Sequence, residues 1–123
     1  MTVLFRADAS AEIGTGHIMR CFALADALKT LGEECVFVCR DIPRLLAERI
    51  TNDGYGLQFL IPTNDDNSAK AAEVPYAHWL KAPWRDDAVE TSEIAQEVGA
   101  DWIIVDHYYL DKIWEDLLLS LLF

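Results

Sequence analysis

Arg6, Asp8, Glu12, His17 and Arg20 crowd into one short stretch of the chain, around a loop that carries Gly14, Thr15 and Gly16. These residue types suit acid–base work beside an anion. Glycines at a strand-to-helix junction let backbone N–H groups approach an anionic or polar ligand. The positive end of a helix dipole disfavours an imidazolium, so a histidine that opens a helix is suited to take a proton from water. His17 is therefore the candidate base, and Gly14 and Gly16 are candidate ligand contacts. Arg20, three residues on, shares the helix side of His17 and either reaches a phosphate or pairs with Asp8 or Glu12. Arg6 is a second candidate for holding an anion. The plainer alternatives are a tight turn for the glycines and a helix-start hydrogen bond for His17.

A second group, Asp106-His107-Tyr108, closes the apolar run Trp102-Ile103-Ile104-Val105. An aspartate at a strand end orients an imidazole or binds a sugar hydroxyl, and otherwise serves a turn or a cap. Tyr108 is a candidate ring-stacking contact, while Tyr109 reads as an ordinary surface aromatic. The glycines do not complete a dinucleotide fingerprint, because G-x-G-x-x-G would need glycine where Met19 stands, and no G-K-[ST] follows for a phosphate-binding P-loop. The acidic run Asp86, Asp87, Glu90, Glu93 and Glu97 reads as a solvated helix face. No His, Asp and Glu cluster has metal-ligand spacing, so neither a metal nor a cofactor is expected.

The elements that must position these groups alternate along the chain. Thr2–Phe5 reads as a buried strand. A helix follows from His17 to Leu31, with Ile18, Cys21, Phe22, Ala25, Leu28 and Leu31 at helical spacing and Gly32 as its stop. Cys35–Cys39 is a continuous apolar strand. Pro43 opens a helix to about Asp53, ended by Gly54. Leu57–Ile61 is a third strand, stopped by Pro62. Residues 63–75 read as a polar loop, and the aromatic stretch 78–84 is not assigned. Asp86–Val98 reads as a helix ended by Gly99, Asp101–Asp106 as a strand, and Asp111 to about Leu122 as a last helix with Asp111 as N-cap and Trp114 in the core. Such alternation implies an α/β fold with a parallel sheet, whose ligands bind beyond the carboxyl ends of the strands. The Asp8–His17 loop and the Asp106–Tyr108 turn share that edge.

The chain has 123 residues, enough for one domain with a core, and 52% of them are hydrophobic. Its net charge of −11 argues against nucleic acid or anionic membranes as partners. The same charge makes the chain a poor host for an anionic ligand, except where the glycine loop, Arg6 and Arg20 offset the field. No apolar run approaches the ~18 residues of a membrane span. The N-terminus lacks a basic then apolar leader pattern, so a cytoplasmic location is expected. Cys35 and Cys39 stand roughly 13 Å apart in an extended strand, too far for a disulfide. With Cys21 they read as buried reduced thiols.

Taken together, the run RADASAEIGTGHIMRCFALADAL and the run DWIIVDHYYLDKIWE resemble the UDP-sugar hydrolases of pseudaminic-acid biosynthesis, which act on UDP-2,4-diacetamido-2,4,6-trideoxy-β-L-altropyranose. The strand CVFVCR is similar as well, and the likeness runs from about residue 2 to 116. Tyr109 departs from it, standing where that family often has glycine. The resemblance implies a Rossmann-like domain over 1–123, the N-terminal half of a two-domain, glycosyltransferase-B-like architecture. A second domain, which would hold most uridine and diphosphate contacts, is then expected beyond Phe123, and the apolar tail 117–123 reads as an interrupted element. It implies metal-free hydrolysis at the anomeric carbon with inversion. His17 would be the base, and Arg6, Asp8, Gly14, Gly16, Arg20, Asp106, His107 and Tyr108 would border the substrate. The alternatives are a glycosyltransferase of the same architecture and a non-catalytic fragment.

Overall fold

A computed structural model describes residues 1–10, 13–60, 83–107 and 110–122. Among the described residues four strands and four helices alternate: β1 (Thr2–Ala7), α1 (Gly16–Thr30), β2 (Glu34–Cys39), α2 (Arg44–Asn52), β3 (Gly56–Phe59), α3 (Trp84–Val98), β4 (Trp102–Asp106) and α4 (Lys112–Leu122). The strands form one parallel sheet in the order β3-β2-β1-β4. The chain thus steps outward from β1 to β3, then returns to lay β4 along the other side of β1. The expected α/β class with a parallel sheet is what the structure shows, and its strand order is compatible with a Rossmann-like domain.

Side-chain alternation along the strands splits the core into two layers. On one face Val3, Phe5, Ala7, Phe37 and Cys39 meet Ile18, Cys21, Phe22 and Ala25 of α1 and Ile50 of α2. The Phe5 and Phe37 rings stack there at 5.1 Å, and Phe22 and Tyr55 close on Phe37 at 5.3 and 5.6 Å. On the other face Leu4, Val38, Ile103 and Val105 meet Ala88 and Ala95 of α3 and Trp114, Leu118 and Leu122 of α4. The helices therefore flank the sheet on both sides.

Element ends follow local chemistry. Pro43 and Pro83 sit at the N-caps of α2 and α3, where no N–H is needed, so α3 starts two residues before the expected Asp86. Asp111 Oδ1 accepts from the N–H of Ile113 at 3.0 Å and of Trp114 at 3.5 Å, the expected cap of α4. Gly99 closes α3 in the left-handed conformation at φ 67°. The third strand runs Gly56–Phe59 rather than from Leu57, and Ile61, Pro62, the loop 63–75 and most of the aromatic stretch lie outside the described residues. All three cysteines are buried. Among the described residues no helix is long and apolar enough to cross a membrane.

Candidate active site

In an open parallel sheet, connections leave in opposite directions at the point where strand order reverses, and the crevice at that carboxyl edge takes the ligand. Here the reversal lies between β1 and β4. Register pairs Ala7 with Asp106, so Asp8 and His107 occupy the next rung beyond both strands. The loop from Asp8 to Gly16 leaves this edge and feeds α1. Gly14 takes φ +81°, which favours glycine, and donates its N–H to the Ser10 carbonyl at 2.7 Å. The Ser10 Oγ accepts from Ile13 N–H at 3.0 Å, tightening the same turn. Beta carbons added at Gly14 and Gly16 would meet nothing within 4 Å among the described residues, so neither glycine makes room for a described neighbour.

His17 is the second residue of α1. Its helix has no side-chain cap hydrogen bond at Thr15 and no acidic residue in its first turn, so the negative charge that meets the positive dipole end among the described residues comes from another element. The His17 Nδ1 is in hydrogen-bond contact with Oδ1 of Asp106. A carboxylate only accepts, so the hydrogen lies on Nδ1 and the lone pair of the neutral ring lies on Nε2. Arg20, one turn on, grips the same carboxylate with both arms: Nε to Oδ2 at 3.0 Å and Nη2 to Oδ1 at 2.8 Å. The sequence left Arg20 between a phosphate, Asp8 and Glu12, and the structure shows it on Asp106. Burial pushes the Asp106 carboxyl up, but its hydrogen bonds from Arg20 and His17 outweigh this and hold it below the ordinary range. Cys21 follows on the same helix. Burial above all, then the Asp106 charge, pushes its thiol up to about 12, which keeps it protonated and out of nucleophilic chemistry at neutral pH.

Directly beneath lies a second, sealed cluster. Arg6 and Asp8, expected as substrate contacts, have no exposed side-chain surface. Arg6 points to the α3 face of the sheet, where it holds Asp8 at 2.8 and 3.2 Å and Asp87 at 2.6 and 3.1 Å. Asp8 also accepts the backbone N–H of Arg40 at 2.7 Å and of Asp41 at 3.2 Å. His107, the third expected contact, is sealed too, and its Nε2 donates to Asp8 Oδ2 at 3.0 Å. Asp87, assigned to a solvated helix face, is fully buried. It accepts from Trp114 Nε1 at 3.0 Å and Arg40 Nη2 at 3.2 Å, and Arg40 reaches on to Glu90 at 2.9 Å. Burial raises both carboxyls, yet the Arg6 charge, with Arg6 and His107 hydrogen bonds, holds Asp8 well below the ordinary range, and Arg6 and Arg40 do the same for Asp87.

Sequence reasoning thus missed Asp87 and Arg40. One signal was available: the side-chain period of β1 puts Arg6 on the same face as Leu4, where a charge demands a buried partner. Of the expected site residues, His17, Arg20 and Asp106 come together at the crevice with Gly14 and Gly16 on its loop. Arg6, Asp8 and His107 lie beneath them, and Tyr108, Tyr109 and Glu12 fall outside the described residues. Among the described residues no group of three or more His, Cys, Asp or Glu side chains could hold a metal ion. Compared with protein-family models and with curated proteins, the chain matches none.

Proposed function

We propose that this chain is the sugar-side domain of a nucleotide-sugar hydrolase, with UDP-linked 2,4-diacetamido-2,4,6-trideoxy sugar as substrate and His17 as general base. The observation that carries the reading is the His17–Asp106 pair at the strand-order reversal, with the lone pair of the ring on Nε2. In this mechanism Nε2 takes a proton from water as the water oxygen bonds to the anomeric carbon. The bond from that carbon to the phosphate oxygen breaks, its electron pair leaves with UDP, and the configuration inverts. Asp106 stabilises the imidazolium that forms. Only Arg20 among the charged groups described at the crevice suits a diphosphate, and it is already engaged, so the reading includes a second, nucleotide-binding domain.

The test is turnover in oxygen-18 water by the protein joined to or supplied with a nucleotide-binding domain. Label is expected in the free sugar. Label in UDP would overturn attack at carbon, and release that waits for an acceptor sugar would make the protein a transferase. Replacing the base, His17→Ala, is expected to lower kcat on the order of 10²- to 10⁴-fold.

A further inference from the structure

We infer that Arg20 is a positioning residue for His17, acting through Asp106, rather than a phosphate contact; the catalytic part of this inference rests on the reading of His17 as base. Asp106 is the sole described residue whose carboxylate contacts both His17 and Arg20. A carboxylate at the end of a strand, 21% exposed, can turn about its side-chain bonds and trade partners with water. The guanidinium removes that freedom. Its Nε and Nη2 form a planar fork whose spacing matches the two carboxylate oxygens, so gripping both fixes the plane of the carboxylate. Oδ1 is then aimed at Nδ1 of His17, and the ring is held with its hydrogen on that nitrogen.

The 3.0 Å separation of Arg20 Nη2 from His17 Nδ1 adds a second constraint. In the other tautomer, Nδ1 would carry a lone pair facing the lone pairs of Oδ1, with Nη2 as its donor among the described residues. Nη2 has a second hydrogen for that lone pair beside the one it donates to Oδ1 at 2.8 Å, but this bond would not offset the loss of the Nδ1–H bond to Oδ1 and the repulsion between the facing lone pairs. The arrangement therefore selects Nδ1–H and leaves Nε2 as the proton acceptor. The positive charge of Arg20 also cancels that of Asp106 at the edge where an anionic substrate would arrive, in a chain of net charge −11. A lysine keeps this cancellation but cannot grip both oxygens.

The measurement is the ¹⁵N shifts of the neutral His17 ring in this chain. Wild type should show a protonated Nδ1 and an unprotonated Nε2. In Arg20→Met the two resonances should move toward each other as both tautomers become populated, with the circular dichroism spectrum unchanged, since Arg20 is 67% exposed. Arg20→Lys should fall between the two. Unchanged shifts in Arg20→Met would overturn the inference, and complete restoration by Arg20→Lys would overturn the fork in favour of charge alone. Should Arg20→Met fail to fold, Arg20→Gln is read by the same criterion. The shifts need no turnover, so they stand or fall apart from the proposed hydrolysis. In a preparation that does hydrolyse the sugar nucleotide, Arg20→Met should lower kcat roughly ten- to a hundredfold, the scale of losing a partner that orients an imidazole. KM should hardly change, whereas a raised KM at constant kcat would mark a phosphate contact.

Discussion

Two clusters built from the same residue types, arginine, aspartate and histidine, share the carboxyl edge of one sheet. In the upper one Arg20 and Asp106 keep 67% and 21% of their side-chain surface, and His17 keeps 8%. In the lower one Arg6, Asp8, Asp87, Arg40 and His107 keep none. Each imidazole is backed by a carboxylate, and the backing crosses over: His17 of α1 uses the aspartate that ends β4, while His107 after β4 uses the aspartate that follows β1. Chemistry of side chains alone does not separate a site from a structural network. Access and saturation do. Asp8 and Asp87 are surrounded by donors from several elements, so the lower cluster is a clamp that fastens α3 and α4 to the sheet beneath the crevice.

The sharpest way to break this comparison is Asp87→Ala. Removing the carboxylate leaves Arg6 and Arg40 buried and the Trp114 N–H unsatisfied. Arg6 keeps Asp8 and Arg40 keeps Glu90, but removing one partner from a buried ion pair still costs about 3–5 kcal/mol. Chemical denaturation should show a loss of that size, large against the total stability of a small domain. A loss below about 1 kcal/mol would mean that the lower cluster is hydrated in solution and not the clamp described here.

Acid should find the lower cluster next. The folded carboxyls of Asp8 and Asp87 lie below their ordinary value of 3.8. Their contribution to stability is therefore complete above that value and is lost as pH falls through the lower folded values. The denaturation midpoint should drop steeply below about pH 4, and Asp87→Asn should make this acid limb shallower. An equally steep limb in the variant would assign acid unfolding to other carboxylates. The upper cluster contributes less to this limb, because Asp106 keeps part of its surface in water.

Most of the scaffold was legible in the sequence, and the reasons are local. Apolar runs of strand length such as CVFVC, helical spacing from Ile18 to Leu28, prolines before α2 and α3, and glycines after α1, α2 and α3 marked every described element to within a few residues. His17 and Asp106 were legible as neighbours on one edge because they sit at a helix start and a strand end, whereas the hold of Arg20 on Asp106 was not. What was not legible is pairing across long separations. Asp87 lies on a helix whose acidic pattern reads as solvated, and its partners Arg6 and Arg40 come from two other strands' ends. Only the folded sheet puts two arginines on the face that α3 covers.

Arg20→Met gives the opposite extreme from Asp87→Ala. The Arg20–Asp106 pair is a surface salt bridge on the arginine side, so its loss should cost within about 1 kcal/mol. Thermal denaturation of the two variants side by side is the direct measure of the contrast between clamp and site. Comparable losses would erase it.

The smallest effect on folding is expected at Gly16, and it bears most directly on the crevice. Gly16 is exposed, opens α1, lacks a positive φ, and would direct a new β-carbon into open space. Alanine loses less backbone freedom on entering a helix than glycine, so Gly16→Ala should leave stability unchanged or raise it by up to about 1 kcal/mol. A glycine that brings the fold no benefit invites a ligand-side explanation, in which the loop backbone approaches the substrate more closely than a β-carbon allows. Under the proposed function, Gly16→Ala should therefore weaken sugar-nucleotide binding, read by calorimetry, while thermal denaturation shows no loss. If binding is unaffected, the loop serves as a turn alone, and the crevice narrows to His17, Asp106 and Arg20. If stability falls instead, Gly16 belongs with the clamp beneath it.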